Sequence, residues 1–540
     1  MTDTSLFFKI AAELKIDAKQ VKSTVELLDE GATVPFISRY RKEVTGSLDE
    51  VQVMTIKNEI ERLRQLEQRR EAILKSIEGQ GKLTEELSDK ILAAETLSTL
   101  EDLYLPYKPK RRTKATAARE KGLEPLAQLI LAQETKELFP EALKFVNKEL
   151  GVEHPDDALA GAREIIAESI SEDAVVREGM RVLFKKSAII KTKVIRGKEE
   201  EGQKFEDYFE WEEPLMSCPS HRMLAMRRGE KEDFLILDII IDDELAHEQI
   251  KKQFIKTRNE CAEQISLAIE DGYKRLLQPS IEAEMRLFTK QIADEKAIQV
   301  FADNLRELLL ASPLGQKSIL AIDPGFRTGC KVVALDAQGK LLEETVIYPH
   351  EPQRRVMDSQ HVVMAMCAKH ELEAIAIGNG TASRETEQFI RSIEVLPKTI
   401  PVIMVSEAGA SIYSASDVAR EEFPEYDLTV RGAVSIGRRL ADPLAELVKL
   451  DAKSIGVGQY QHDVDQVALK NKLDSVVMSC VNGVGVELNT ASKQLLSYVS
   501  GIGEGLAKNI VDYRNEHGAF KSRKDLLKVN RMGDKVFEQC

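Results

Sequence analysis

The sequence predicts a multidomain, mainly α-helical protein with one α/β domain in its second half and a helical, glycine-punctuated region at its end. Three observations carry this reading. The chain has 540 residues, which is room for several domains at roughly 100–200 residues each. Helix starts and stops recur through the first part of the chain. At Ser318 the texture changes to short apolar runs joined by tight turns, the signature of strands.

The helical part has its own punctuation. Thr33 is placed to cap a short helix whose first turn holds Pro35. Ser47-Leu-Asp-Glu50 has the spacing of a capping box. After it Val51, Met54, Ile60, Leu63, Leu66, Ile73 and Ile77 recur at helical intervals until Gly79 and Gly81 stop them. From Pro106 to Lys114 two prolines interrupt the pattern among Lys108, Lys110, Arg111, Arg112 and Lys114. Residues 192–212, rich in glycine and charge, read as an irregular or β-like insert. Ser280 to Ala311 holds neither proline nor glycine, and Met285, Leu287, Ile292, Val300, Leu305 and Leu308 give it an apolar stripe. That predicts a helix of roughly 30 residues, about 45 Å long, acting as a strut between domains and ended by Pro313.

The α/β part begins with strand Ser318–Ile322, the turn Asp323-Pro-Gly-Phe-Arg-Thr-Gly329, strand Cys330–Leu335, the turn Asp336-Ala-Gln-Gly339 and strand Leu341–Ile347. Such short turns make a meander. A helix at Ser359–His370, a strand at Ala374–Ile377, a helix at Ser383–Ile393 and a strand at Pro401–Val405 follow. The order βββαβαβα gives a mixed sheet with helices on its faces, the order of the ribonuclease H-like fold. From Gly456 the chain is helical again and contains Val499-Ser-Gly-Ile-Gly-Glu-Gly-Leu-Ala-Lys508.

Composition narrows the function. The net charge of −14 gives no bulk attraction for a polyanion, so a nucleic-acid site requires locally clustered cations. The six cysteines form no C-x-x-C pair and the eight histidines show no ligand spacing, which suits a reducing cytoplasm and argues against zinc. Asp3, Lys9, Glu13 and Lys15 interrupt the first twenty residues, so they do not read as a signal peptide, and no apolar run reaches the roughly 18 residues of a membrane span. The expectation is a cytoplasmic protein with no membrane partner.

Several segments resemble the Tex family of transcription accessory proteins: Gly31-Ala-Thr-Val-Pro-Phe-Ile-Ser-Arg-Tyr-Arg-Lys-Glu-Val-Thr45, and Leu103-Tyr-Leu-Pro-Tyr-Lys-Pro-Lys-Arg-Arg-Thr-Lys114. Asp323 to Gly329, Gly378-Asn-Gly-Thr-Ala-Ser-Arg-Glu-Thr-Glu387, Ser406-Glu-Ala-Gly-Ala-Ser-Ile-Tyr-Ser414 and Arg439-Leu-Ala-Asp-Pro-Leu-Ala-Glu446 are similar to the family's YqgF, or ribonuclease H-like, domain. Asn489-Thr-Ala-Ser492 followed by Gly501-Ile-Gly503 resembles its helix-hairpin-helix region. On that resemblance residues 1–191 are an N-terminal helical domain with a helix-turn-helix-like part. Residues 192–316 hold the charged insert and strut, 317–455 the YqgF-like domain, and 456–540 the hairpin region, cut short at its end. A second hairpin turn would be Asn530-Arg-Met-Gly533. The resemblance implies a C-terminal OB-fold RNA-binding domain beyond the hairpins. Residues 1–540 hold no counterpart of it, so binding that depends on it is not expected of them.

The chemistry then divides. In the hairpin, Gly501, Gly503 and Gly505 would give a tight turn and a helix start with free N–H groups, a phosphate cradle within reach of Lys508. The alternative is a structural helix–helix turn. Lys108, Lys110, Arg111, Arg112 and Lys114 would fan out from a proline-extended loop toward phosphates, or form an ordinary solvated loop. Arg39-Tyr-Arg-Lys42 mixes cations with an aromatic that could stack on a base, or be core.

For a ribonuclease H-like nuclease, Asp323, Glu407 and Asp442 are the candidate metal ligands, with Glu446 one turn on. Asn379 stands where resolvase-like relatives carry an acid, and Arg438 and Arg439 are near enough to pair with these carboxylates. The expected site is therefore vestigial, with no catalytic residue and no cofactor, Mg²⁺ being the one candidate. The expected ligand is RNA or another single-stranded nucleic acid, with DNA and the transcription machinery as further partners. A metal-dependent nuclease or resolvase and a pure interaction scaffold are the rival readings.

Overall fold

The structure, a computed structural model, describes residues 3–540 apart from residue 136. It divides into two units. One holds the first helix to Glu13 with Lys57–Lys296, the other Leu14–Ile56 with Ala297–Cys540. The chain passes between them three times, at the end of the first helix and inside two long helices, Glu50–Gly79 and Gln278–Leu309. The latter is the expected long helix, 32 residues in length. It starts before Ser280, with Pro279 in its first turn. A π-helical turn at Tyr273–Leu277 carries the preceding helix Glu260–Gly272 into it, and such a turn commonly absorbs a break in the i→i−4 ladder.

The first unit is helical apart from a small antiparallel sheet. Its strands are β1 (Ile189–Val194), β2 (Glu210–Pro214) and β3 (Leu235–Ile240), in the order β2-β1-β3. Period-two burial explains them: Ile190 and Thr192 point inward from β1, and Leu235, Leu237 and Ile239 from β3, while Lys193, Ile236 and Asp238 face out. The charged insert is thus a strand pair completed by a third strand that the sequence reading left in helix. Position 191 falls inside β1.

The second unit contains the α/β domain. Its strands are β4 (Ile319–Asp323), β5 (Cys330–Leu335), β6 (Leu341–Ile347), β7 (Ala374–Gly378) and β8 (Val402–Val405), in the order β6-β5-β4-β7-β8. The first three are antiparallel and β4, β7 and β8 run parallel, as the order of elements predicts. β4 alternates between two cores. Leu320 and Ile322 pack with Val363, Met366, Phe389 and Ile390 of the helices Val356–Lys369 and Ser383–Arg391. Ile319 and Ala321 pack with Val430, Ala433, Val434 and Leu440 of the helix Leu428–Ala441. Gly437 lets that helix sit close, since a Cβ there would lie 2.9 Å from Ala321 Cβ.

At the start of this unit Thr33 caps Val34–Tyr40, accepting from Phe36 N–H at 3.4 Å. The expected capping box at Ser47–Glu50 does not form. Gly46 and Ser47 both have positive φ, 67° and 65°, so the chain turns back through two left-handed residues and Ser47 lacks the extended backbone of an N-cap. Asp49 caps instead: Gln52 N–H donates to its Oδ1 at 2.8 Å and Asp49 N–H to Gln52 Oε1 at 3.0 Å. The hairpin region follows the α/β domain as helices Gln466–Val484, Lys493–Ser497, Glu504–His517 and Asp534–Gln539. Among the described residues no helix is long and apolar enough to cross a membrane.

Candidate nucleic-acid interface and carboxylate pair

The first hairpin joins Lys493–Ser497 to Glu504–His517. Its turn closes with Ile502 N–H donating to Val499 O at 2.9 Å. Only Gly501 needs glycine's conformational freedom, at φ 81°; Gly503 caps the helix with extended backbone and Gly505 is helical. The turn has two sides. Ser500 is 2% exposed, its Oγ lies 2.9 Å from Thr33 Oγ, and its N–H donates to Asn482 Oδ1 at 3.0 Å. A Cβ on Gly501 would meet Gln539 Cβ at 2.9 Å. That side packs against protein. Gly503, Glu504, Gly505 and Lys508 face solvent. The acid Glu504 shares the open side with the cation.

The second turn repeats the first. Met532 N–H donates to Val529 O at 3.1 Å, Arg531 takes the left-handed position at φ 69°, and Gly533 caps Asp534–Gln539 with the same extended backbone as Gly503. Val499, Gly501, Ile502 and Gly503 thus correspond to Val529, Arg531, Met532 and Gly533. Asn530, Arg531 and Gly533 are all exposed. Sequence reasoning located this turn but gave Arg531 no role; the register between the two turns is the signal that finds it.

The basic loop is less free than its sequence suggests. Pro106 lies in a 3₁₀ turn, Leu105–Tyr107, and Thr113 caps a helix that starts at Lys114. Lys110 pairs with Glu172, Arg112 with Glu120 at 2.6 Å and Lys114 with Glu164 at 3.3 Å. Lys108 and Arg111 are exposed and have no carboxylate partner among the described residues. In the N-terminal motif, Arg39 is structural: its Nη2 donates to Ser479 O at 3.0 Å. Tyr40, by contrast, is 54% exposed.

At the carboxyl ends of the strands two of the three candidate ligands meet. Asp323 ends β4 and its carboxyl is pushed up to about 6, first by burial and then by the charge of Glu407, against the pull of Lys331. The loop after β7 is moulded to Glu407. A Cβ at Gly378 would lie 2.8 Å from Glu407 Oε2 and 3.3 Å from Pro324 Cδ, and one at Gly380 only 1.6 Å from Oε1. Asn379 Oδ1 accepts from Glu407 N–H at 3.1 Å.

Asp442 does not join them. A Cβ on Gly432, in the helix Leu428–Ala441, would lie 3.5 Å from Asp323 Oδ2. Asp442 comes ten residues (442 − 432) later, about 15 Å down the axis. There it caps the helix Pro443–Leu447, accepting from Ala445 N–H at 2.9 Å. Glu446 is buried with Ser435 Oγ at 2.8 Å and Lys449 Nζ at 2.8 Å. Among the described residues no three His, Cys, Asp or Glu side chains are placed to hold a metal.

The nearby arginines are engaged otherwise than expected. Arg438 binds Glu422 at 2.5 Å and the carbonyl of Gly339 at 2.9 Å. Arg439 is 4% exposed and its Nη1 donates to Ser406 O at 2.9 Å and Ala408 O at 2.7 Å, on either side of Glu407. Burial lowers its pKa, opposed by Glu446 and Glu407. Its role as the anchor of the Glu407 loop is not legible in sequence, where it reads as a cation placed to pair with the nearby carboxylates.

Four stretches match known domain families: the Tex-like protein N-terminal domain at 4–78, the Tex central region-like family at 133–301, the Tex protein YqgF-like domain at 317–441 and the helix-hairpin-helix motif at 481–540. The chain is 49% identical to Protein YhgF of Escherichia coli K12, over 98% of this chain and 70% of that protein. It is 47% identical to the Transcriptional accessory protein Tex of Neisseria gonorrhoeae, over 98% and 70%. The human S1 RNA-binding domain-containing protein 1 is 34% identical over 96% of this chain and 53% of its own length.

Proposed function

Because this chain belongs to the Tex family, we propose that it is a cytoplasmic transcription accessory factor that binds nucleic acid, RNA before DNA, through sequence-independent phosphate contacts. The observation that carries this is the open side of the first hairpin: the exposed start of the helix Glu504–His517, with Lys508 one turn in. Backbone N–H groups at a helix start and a nearby ammonium both address phosphate and neither reads a base edge. Lys108 and Arg111 supply a second, smaller group of free cations.

Hydrolysis is not part of the proposal. A two-metal site needs several converging carboxylates, and the donor set here does not fit: Asp323 and Glu407 approach each other while Asp442 caps a helix elsewhere. Mg²⁺ sheds its waters reluctantly, so two carboxylates are a poor match for it.

The test is binding of the 540-residue chain to single-stranded RNA, single-stranded DNA and duplex DNA across a salt series. Phosphate-driven binding weakens steeply with salt. Lys508→Ala should weaken all sequences alike and flatten the log–log slope by about one. An unchanged affinity and slope in that variant would remove the first hairpin as a contact. Salt-independent or absent binding would favour a scaffold that docks only on proteins. Mg²⁺-dependent cutting abolished by Asp323→Asn would install the nuclease reading.

A further inference from the structure

We infer that Tyr40 and Arg531 form a second contact for single-stranded nucleic acid, with a base stacked on Tyr40 and a phosphate on Arg531. This rests on the proposed nucleic-acid function and adds a site the hairpin motif does not contain.

Tyr40 lies at the end of the helix Val34–Tyr40 and is 54% exposed, although its neighbours Phe36 and Ile37 are buried. It is not loose. Its centroid is 5.9 Å from that of Phe36, and the Arg41 guanidinium covers the Phe36 ring at 4.6 Å. A ring held by packing and open on one side loses little freedom when a base stacks on it.

Two ion pairs set this corner against the second hairpin: Glu30 with Lys535 at 3.2 Å and Arg41 with Glu538 at 3.4 Å. Lys535 and Glu538 belong to the helix Asp534–Gln539, six residues and so about 9 Å long, which follows directly from the turn bearing Arg531. Arg41, the residue after Tyr40, therefore binds near the far end of the short helix that Arg531 precedes. The acids Glu30 and Glu538 are engaged in holding the corner. Lys42 and Arg531 have no carboxylate partner among the described residues. Arg531 also occupies a left-handed backbone position, φ 69°, where the first turn has Gly501. Glycine is the unstrained choice there, so the arginine is present at the expense of local backbone preference.

An aromatic and a cation report differently. Stacking needs an unpaired base, accepts any of the four and releases no counterions; a phosphate contact does release them. The experiment compares the full chain with Tyr40→Ala, Tyr40→Phe and Arg531→Gly, on a fluorescent single-stranded uridine 20-mer and a duplex of equal length, over a salt series. Arg531→Gly relaxes the turn while removing the charge, so it should fold at least as well as the parent. Tyr40→Ala should weaken single-strand binding roughly five- to a hundredfold, with the salt slope unchanged and the duplex unaffected, while Tyr40→Phe binds as the parent does. Arg531→Gly should lower the slope by about one on both ligands. Parental affinity in both Tyr40→Ala and Arg531→Gly, alongside a weakened Lys508→Ala, would overturn this inference and leave the proposed function standing. If the parent chain bound neither ligand, both would fall.

Discussion

The carboxyl end of the α/β sheet and the hairpin region both gather charged residues around glycines, and they use the glycines in opposite ways. In the sheet, Gly378 and Gly380 make room for a side chain of the same protein, Glu407, which packs into the space their Cβ atoms would fill. Asp323 is held beside it and Arg439 is turned inward onto two carbonyls. In the hairpins, Gly503 and Gly505 face solvent with nothing within 4 Å of where a Cβ would lie. The sheet end turns its charged groups onto the protein itself, while the first hairpin keeps Lys508 and its backbone donors outward. Function lives in such local dispositions and not in the sheet order.

The largest effect that sharpens this contrast is expected at Arg439. Arg439→Ala leaves the carbonyls of Ser406 and Ala408 without their donor and opens a cavity beneath the Glu407 loop. A loss of about 2–4 kcal/mol in urea denaturation is expected from such buried deletions. If Arg439 were instead an outward cation, the loss would stay under about 0.5 kcal/mol.

A smaller effect, of opposite sign, is expected at Asp323. Its folded-state value of about 6 lies above that of an unfolded aspartate, so folding favours the protonated acid. The stability from that preference is fully present below about pH 4 and is lost as pH rises through the folded value. Asp323→Asn should therefore raise stability by about 1–2 kcal/mol at pH 8 and change little at pH 4. Equal effects at the two pH values would mean that Asp323 does not carry this burden.

The smallest effects belong to the basic loop. Arg111→Ala should stay within about 0.5 kcal/mol in stability and trim the salt slope of binding. Lys110→Ala should change binding less, because Glu172 already neutralises that ammonium. A larger binding loss for Lys110→Ala than for Arg111→Ala would reverse the division between paired and free cations.

Much of the α/β domain was legible in sequence because short turns between apolar runs fix both strand bounds and order; the expected Ser318–Ile322 and the observed Ile319–Asp323 differ by one residue at each end. Local chemistry was less legible. Ser47 has the right side chain for a cap, but the left-handed turn at Gly46 gives that role to Asp49. β3 is not legible as a strand, because a six-residue stretch of Leu and Ile broken only by Asp238 is too short for its period to separate strand from helix. At the site, Asp442 follows the right helix but at the wrong end of it, a distance that spacing along the chain does not reveal. Tyr40 reads more readily as core than as stacking surface, since exposure depends on which residues the tertiary fold brings over it.

Binding driven by phosphate and not by base identity can be read from a single comparison of two RNAs. Affinities of the full chain for two single-stranded RNAs of equal length and unrelated sequence are measured by fluorescence anisotropy from low to high salt. The expected result is a steep negative log–log slope shared by both RNAs, with affinities that coincide at every salt concentration. A slope near zero, or a sequence preference that persists as salt rises, would contradict it.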